Sequence, residues 1–266
     1  MVKLSDSDSR EFINAWPMLQ RELDLWAESG KQASFWWRDD DAISETSQLH
    51  ILDHLSQSFD IPVSIAIIPA FLEASLPKYL QKRDHFSVLQ HGYSHTSYAA
   101  KGVKKIELGG ERVLDIIATE LSDGYQILKS ELPDKFTPVI VPPWNRIESR
   151  VYNRLREIGF TGISVDGARK VSYPVNDLLQ INTHLDPINW RHGRGFIGSQ
   201  VAIELLQQHL YLRRTTDSGS DEPTGLLTHH LVHNDAVWSF CRTLFKYLNQ
   251  HPAAHWVNAR QMWPSA

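Results

Sequence analysis

A chain of 266 residues, 42% of them hydrophobic and 22% charged, is long enough to bury one large core, as soluble globular proteins do. Its formal net charge of -4 argues against a nucleic-acid-binding protein, and the single cysteine excludes an internal disulfide framework. The N-terminus lacks the apolar segment of a signal peptide, and no apolar run approaches the ~20 residues that span a membrane. We therefore expect a cytoplasmic protein.

Short apolar runs alternate with amphipathic segments along the chain. The runs are rich in Val, Ile, Leu and Phe and bounded by Pro, Gly or Asp, which predicts β-strands. They lie at residues 33–37, 61–68, 86–90, 136–141, 161–165, 178–183 and 225–229. Helical spacing predicts helices at residues 9–28, 44–58, 110–131, 147–158, 198–213 and 234–250. Ser44 and Asn234 are the expected N-caps of the second and last helices, and residues 215–224 have the composition of a disordered segment.

Strands separated by helices indicate a parallel α/β sheet with crossover helices. A closed or nearly closed β/α barrel is the simplest architecture, and an open doubly wound sheet is the alternative. We expect one domain over residues 1–266, with the helix at about 9–28 packed on the barrel.

Polar clusters follow four of the predicted strands. They are residues 39–41 after the first strand, 91–95 after the third, 142–145 after the fourth and 229–233 after the seventh. The C-terminal strand ends form the active-site face of β/α barrels, so the clusters are expected to converge on one mouth.

The first two clusters have the residue types of a catalytic metal site. The consecutive carboxylates of residues 39–41 repel one another, and a divalent cation would offset that repulsion. One carboxylate with His91 and His95 is a common ligand set for catalytic zinc. The structural alternatives are a solvated acidic loop and a chance histidine pair.

The other polar residues suggest an acid and a rim. Histidine titrates near neutral pH, so His229, His230 or His233 could be a general acid, although packing beside Asn234 is the alternative. Trp144 and Trp190 are candidates for stacking on a sugar ring. Cys241 lies in a helical pattern, which indicates core packing and disfavours a role as nucleophile.

The order of these motifs resembles the polysaccharide deacetylase family, also called the NodB-homology or carbohydrate esterase 4 group. Asp40-Asp41-Ala42 is similar to that family's Asp-Asp-Gly pattern, and His91-Gly92-Tyr93-Ser94-His95 is similar to its His-Ser/Thr-x-x-His motif. The resemblance implies that Asp40 is the catalytic base and that Asp41, His91 and His95 bind the metal. Asp39-Asp40 is an alternative register for the aspartate pair.

Later motifs extend the resemblance. Val141-Pro142-Pro143-Trp144 is similar to the family's Arg-x-Pro-Tyr/Phe, and Leu227-Thr228-His229 to its Leu-x-His, which implies that His229 is the catalytic acid. The aspartate of the remaining motif is Asp186 or Asp166.

The chain departs from the family pattern at two positions. Val141 replaces the Arg that pairs with the catalytic base, and Gly92 replaces a Ser or Thr. Arg38 or Arg146 could replace the missing cation. Arg38 is the first candidate because side chains two residues apart on a strand leave the same face.

The resemblance implies a distorted seven-stranded (β/α) barrel of the NodB type and a metal-dependent hydrolase that removes an acetyl group from a sugar-like amide or ester. Zinc is the expected metal, with nickel or cobalt as alternatives. The expected substrate contacts are Arg38, Pro143, Trp144, Asn145, Asp186, Trp190 and His230. The alternative functions are hydrolysis of another non-peptide C–N bond, as in a cyclic amide, and a catalytically silent carbohydrate-binding barrel.

Overall fold

The structure is a computed structural model that describes residues 6–191, 193–216 and 221–264, with side chains from residue 15 onward. The strands are β1 (Ala33–Ala42), β2 (Val63–Ile67), β3 (Phe86–His91), β4 (Phe136–Val141), β5 (Gly162–Ile163), β6 (Leu179–Gln180), β7 (Thr224–Thr228) and β8 (Ala254–Trp256). The α-helices are α1 (Asp6–Glu28), α2 (Ser47–Phe59), α3 (Ser75–Leu80), α4 (Leu114–Glu131), α5 (Tyr152–Ile158), α6 (Ser199–Thr215), α7 (Asp235–Gln250) and α8 (Ala259–Met262). Short 3₁₀ turns lie at Pro69–Phe71, Pro143–Asn145, Ser149–Val151 and His230–Val232.

The predicted strands and helices are all present and in the predicted order. The N-cap at Asn234 is confirmed, because its side chain accepts a hydrogen bond from Val237 N. The N-cap predicted at Ser44 is wrong: Thr46 caps α2 by accepting a hydrogen bond from Leu49 N at 3.0 Å. Strand β1 also runs further than predicted, through the aspartates. Residues 217–220 of the predicted disordered segment lie outside the described residues.

The strands form a parallel sheet that curls into a nearly closed barrel. Its order is β6-β5-β4-β3-β2-β1-β7, and β8 pairs with the beginning of β1. The ring is completed next to β7, where His184 N and Leu185 N donate to Gly225 O and Leu227 N donates to Leu185 O. The distorted seven-stranded barrel is therefore confirmed. An open doubly wound sheet is excluded because the segment after β6 pairs with β7 and completes the ring.

Apolar side chains fill the barrel interior below its mouth. Trp36 is fully buried there, and its ring meets that of Trp263 edge to face with centroids 5.5 Å apart. The residues of this interior cluster are Trp36, Ala66, Leu89, Val139, Val141, Ile181, Ala259, Met262 and Trp263. The unpredicted β8 and α8 thus plug the barrel at the beginning of β1, opposite the mouth.

Helices cover the outer face of the sheet. Trp37 points away from the interior and packs on Phe245 of α7, with ring centroids 4.7 Å apart. Helix α1 packs on α6. Within the described residues, no helix combines the length and apolar character needed to cross a membrane.

Gly225 lets the barrel close. A Cβ atom there would lie 2.5 Å from Trp36 Nε1 and 2.7 Å from Asn182 O, atoms that hydrogen-bond to each other at 3.0 Å. We predict that Gly225→Ala lowers the free energy of unfolding by about 1–3 kcal/mol, the usual cost of overpacking. The control is Gly195→Ala, where a Cβ meets no atom within 4 Å. Urea unfolding followed by circular dichroism measures both, and equal effects would contradict the prediction.

Candidate metal centre and acid–base pair

The three aspartates at the end of β1 leave the strand in different directions. Arg38 and Asp40 continue the interior face of Trp36, whereas Asp39 continues the outer face of Trp37. Asp41 breaks the alternation because its φ is 74° and the pairing of β1 with β2 shifts register between Asp39 and Ala42. Such bulges re-aim side chains next to active sites.

Asp41, His91 and His95 converge at the mouth. Asp41 Oδ1 lies 3.1 Å from His91 Nε2 and 3.3 Å from His95 Nε2. The other nitrogen of His91, Nδ1, lies 2.9 Å from the carbonyl of Val141. A carbonyl only accepts hydrogen bonds, so Nδ1 carries a proton, and in the neutral ring the lone pair of Nε2 is directed at Asp41. Metal-binding histidines are commonly held by this kind of second contact.

These residues fit a divalent cation. Their donor atoms all lie within 4.8 Å of one another, so one ion can contact all three. Asp41 Oδ1 is buried and receives no aligned hydrogen bond from any residue that the structure describes. One carboxylate and two imidazoles suit zinc, and also nickel or cobalt.

The charges around the triad favour an ionised carboxylate. Burial alone would raise the pKa of Asp41, but its contact with His91 and the charges of His91, His229 and His95 lower that pKa far below its usual value. Burial lowers the pKa of His95, which favours the neutral ring that a metal requires. Burial also acts to lower the pKa of His91, but the charge of Asp40 and the contact with Asp41 raise it.

Asp40 is paired with Arg38 inside the barrel. Arg38 Nη2 donates to Asp40 Oδ2 at 3.0 Å, and Arg38 Nε lies 2.9 Å from Asp40 Oδ1. Arg38 is fully buried and also donates to Ser164 Oγ and Asn145 Oδ1, each at 2.7 Å. The contact expected for Arg38 is thus present. Arg146, the alternative partner, instead donates to Lys105 O.

Asp39 lies behind the barrel wall and clamps the chain on both sides of His229. Its Oδ2 accepts from Thr228 Oγ1 at 2.6 Å and from His230 N at 3.0 Å, and its Oδ1 lies 2.5 Å from His230 Nδ1. Asp39 and His230 are both fully buried. This geometry does not support the Asp39-Asp40 register, nor His230 as a substrate contact, because adjacent residues at a strand end face opposite sides.

His229 stands at the mouth beside Asp186. Its Nδ1 lies 3.9 Å from Asp186 Oδ2, and its backbone N donates to His233 Nε2 at 3.1 Å. Burial lowers the pKa of His233 to about 4, which keeps that ring neutral and able to accept. Burial also raises the pKa of Asp186, against the charge of His229. The alternative carboxylate, Asp166, is exposed and lies in a bridge with Thr183.

Two indoles flank these groups. Trp144 has a left-handed backbone (φ 56°), and its ring lies against His95 with centroids 4.5 Å apart. Trp190 is 44% exposed, donates to Asp186 Oδ2 at 2.6 Å and meets the ring of His229 edge to face at 4.7 Å. Of the other predicted substrate contacts, Pro143 is buried, and Asn145 Oδ1 accepts a hydrogen bond from Arg38.

Sequence reasoning missed two site residues. Ser164 directly follows β5 in the structure but lies inside the strand predicted at 161–165, so it is not among the polar residues that follow a predicted strand. Glu107 is fully buried beneath the turn between the two histidines and accepts hydrogen bonds from Ser94 N and Ser94 Oγ. It lies in the loop between β3 and α4, where no local pattern marks it.

A second histidine–carboxylate group lies where the barrel closes. The donor atoms of His184, His209 and Glu222 are close together, but the two rings are stacked with centroids 3.3 Å apart and planes inclined by only 16°, so their lone pairs lie in nearly parallel planes. Gly225 N donates to His184 Nδ1, which leaves the proton of a neutral ring on Nε2. Glu222 accepts from the backbone N of Asn182 at 2.8 Å. We interpret this group as a structural link and not a metal site.

Comparison with known proteins identifies the fold. No protein-family model and no curated protein sequence matches the chain. Among solved structures, it is similar to a candidate polysaccharide deacetylase from Mycobacterium smegmatis, with a TM-score of 0.58 and 14% identity over 88% of this chain and 89% of the other.

Two further structures share the fold. A family 4 acetyl xylan esterase from Clostridium thermocellum, in complex with a cobalt ion, has a TM-score of 0.52 and 10% identity over 86% of this chain and 89% of its own. A mutant of a carbohydrate esterase 4 pseudoenzyme with restored activity has a TM-score of 0.56 and 13% identity over 88% of this chain and 68% of its own. The chain therefore has the fold of the polysaccharide deacetylases, as the motif order predicted.

The triad predicts where a metal binds. We expect His91→Ala and His95→Ala each to lose most bound zinc without unfolding, because each removes one of the three converging donors. His54→Ala, an exposed histidine on α2, is the matched control. Metal content after dialysis, measured by mass spectrometry beside circular dichroism, checks this. Unchanged zinc in both triad variants would place the site elsewhere.

Proposed function

We propose that this protein is a metal-dependent hydrolase that removes an acetyl group from a sugar-like amide or ester. The observation that supports it most is the grouping of a carboxylate–imidazole triad, an arginine-paired carboxylate and a histidine with its own carboxylate at one barrel mouth. Asp40 and Asp41 lie at the end of β1, His91 ends β3 and His229 follows β7, so these groups lie at the C-terminal ends of strands around one mouth.

The first role is binding of the cation by Asp41, His91 and His95. A divalent cation there would polarise the acyl carbonyl and activate a water molecule for attack. We propose zinc, with nickel and cobalt as alternatives, because imidazole and carboxylate donors suit all three. The hydrogen bond from His91 Nδ1 to the Val141 carbonyl holds the ligand ring in one orientation.

Asp40 and His229 divide the proton transfers. Asp40 takes a proton from the water while the water oxygen bonds to the acyl carbon. Arg38 holds the Asp40 carboxylate by contacts with both of its oxygens. His229 gives a proton to the leaving nitrogen or oxygen as the bond from that atom to the acyl carbon breaks. Asp186, 3.9 Å from Nδ1, faces the ring that carries this proton. The products are acetate and a free amine or alcohol.

The contact between Arg38 and Asp40 weighs against a catalytically silent barrel. With Val141 in place of the expected arginine, a base without a cationic partner would have favoured a silent barrel that only binds carbohydrate. A buried guanidinium in contact with both Asp40 oxygens supports an intact base. Hydrolysis of another non-peptide C–N bond uses the same groups and is the alternative that an assay must separate.

Acetate release tests the proposal. Metal-loaded protein is incubated with N-acetylated and O-acetylated sugars and, separately, with cyclic amides. We expect acetate from an acetylated sugar, and loss of that activity on chelation with recovery on adding zinc. Hydrolysis of cyclic amides alone would support the other C–N hydrolases, and bound metal without any hydrolysis would support the silent barrel.

The aspartate pair allows a matched test of the base. We predict that Asp40→Asn keeps its metal and lowers kcat by ~10²-fold or more, the usual scale for a general base. Asp39→Asn should instead lower the free energy of unfolding, because it leaves His230 in a buried site without its charged partner. Kinetics, metal content and urea unfolding of both variants check this. Full activity in Asp40→Asn would show that Asp40 is not the general base.

A further inference from the structure

A buried carboxylate supports the turn that carries both histidines. Glu107 is fully buried, and its Oε1 accepts from Ser94 N at 2.8 Å and from Ser94 Oγ at 3.2 Å. Tyr93 N lies 3.3 Å from Oε2 and 3.4 Å from Oε1. Glu107 therefore accepts hydrogen bonds from Tyr93 and Ser94, the two residues that directly precede His95.

The turn is built around this carboxylate. Gly92 has a φ of 55°, and a Cβ on it would overlap Glu107 Oε2 and lie 2.6 Å from the ring of Pro143. Glycine at this position leaves the room that the carboxylate fills. A side chain at residue 92 would displace Glu107 from the backbone N–H groups that it binds.

The same turn sets the direction of His95. His95 has a left-handed backbone, with φ at 53°, a conformation that costs energy for a residue with a side chain unless its surroundings hold it. Hydrogen bonds to Tyr93 and Ser94 hold the two residues before it. On the other side of the turn, His91 is fixed by β3 and by the Val141 carbonyl.

We propose that Glu107 is a positioning residue for the cation site. By binding the N–H groups of Tyr93 and Ser94, it directs His95 Nε2 towards the point where His91 and Asp41 converge. This inference rests on the proposed metal-dependent function. In this interpretation the loop between β3 and α4 contributes to metal binding through Glu107, although no residue of that loop beyond His95 belongs to the triad.

Cobalt binding tests the inference without any substrate. Glu107→Gln keeps the size of the side chain but places an amide group against N–H donors. We expect its affinity for Co²⁺ to fall by ~10–100-fold, the usual effect of changing a residue that orients a ligand. The visible absorption of bound Co²⁺ should also change, because it depends on ligand geometry. Glu148→Gln is the matched control, since Glu148 accepts from Gly110 N in the same loop region and does not contact the turn.

A purely structural role gives a different result. Thermal unfolding of each variant is measured with and without Co²⁺. A positioning role predicts that Glu107→Gln loses part of the stabilisation that Co²⁺ gives, whereas a structural role predicts equal losses in both conditions and unchanged affinity. Glu107→Asp, which keeps the charge but shortens the reach, should behave like Glu107→Gln and serves if the glutamine variant does not fold.

Two failures are distinguishable. If the unaltered protein does not bind Co²⁺ or Zn²⁺, the proposed function fails. If it binds them and both Glu107 variants bind Co²⁺ within about twofold of it, with the same absorption spectrum, only the role of Glu107 is overturned.

Discussion

Three consecutive carboxylates at the end of β1 must each find a separate compensating partner, and much of the site follows from that constraint. An uncompensated buried charge costs several kcal/mol. Strand alternation sends Asp39 outwards to His230 and Asp40 inwards to Arg38, and the bulge turns Asp41 towards the two histidines of the triad. Asp39 and Asp40 are thus compensated by separate partners, and a cation between Asp41 and the two histidines would compensate the third carboxylate.

The contacts of these β1 residues link β1 to the ends of the other strands around the mouth. Asp39 fixes the chain on either side of His229, at the end of β7. Arg38 reaches Ser164 after β5 and Asn145 after β4, and Asp41 meets His91 at the end of β3. The proposed base, acid and metal ligands are thus all part of β1 or in contact with it. This matters because transfer of protons between fixed groups tolerates little displacement.

The sequence predicts the parts of this arrangement that depend on local pattern. The positions of the strands and of the polar clusters at their ends follow from hydrophobic patterning. The Arg38–Asp40 contact follows because residues two apart on a strand share a face. The same rule separates His229 from His230, as it separates Asp39 from Asp40, and applying it at β7 would have removed His230 from the substrate contacts. Glu107 could not be found in this way, because its partners are backbone N–H groups of a turn distant in sequence.

Val141 lacks the arginine side chain that the motif predicts, but its backbone still contributes to the site. The expected arginine is absent there, but the backbone carbonyl of Val141 still orients His91. The positive charge comes instead from Arg38, on the same strand as the proposed base. A base and partner on one strand keep their spacing whatever the loop after β4 does, because the backbone of β1 sets it. That loop needs only to supply Asn145 to Arg38, and is otherwise free to shape the mouth through Trp144.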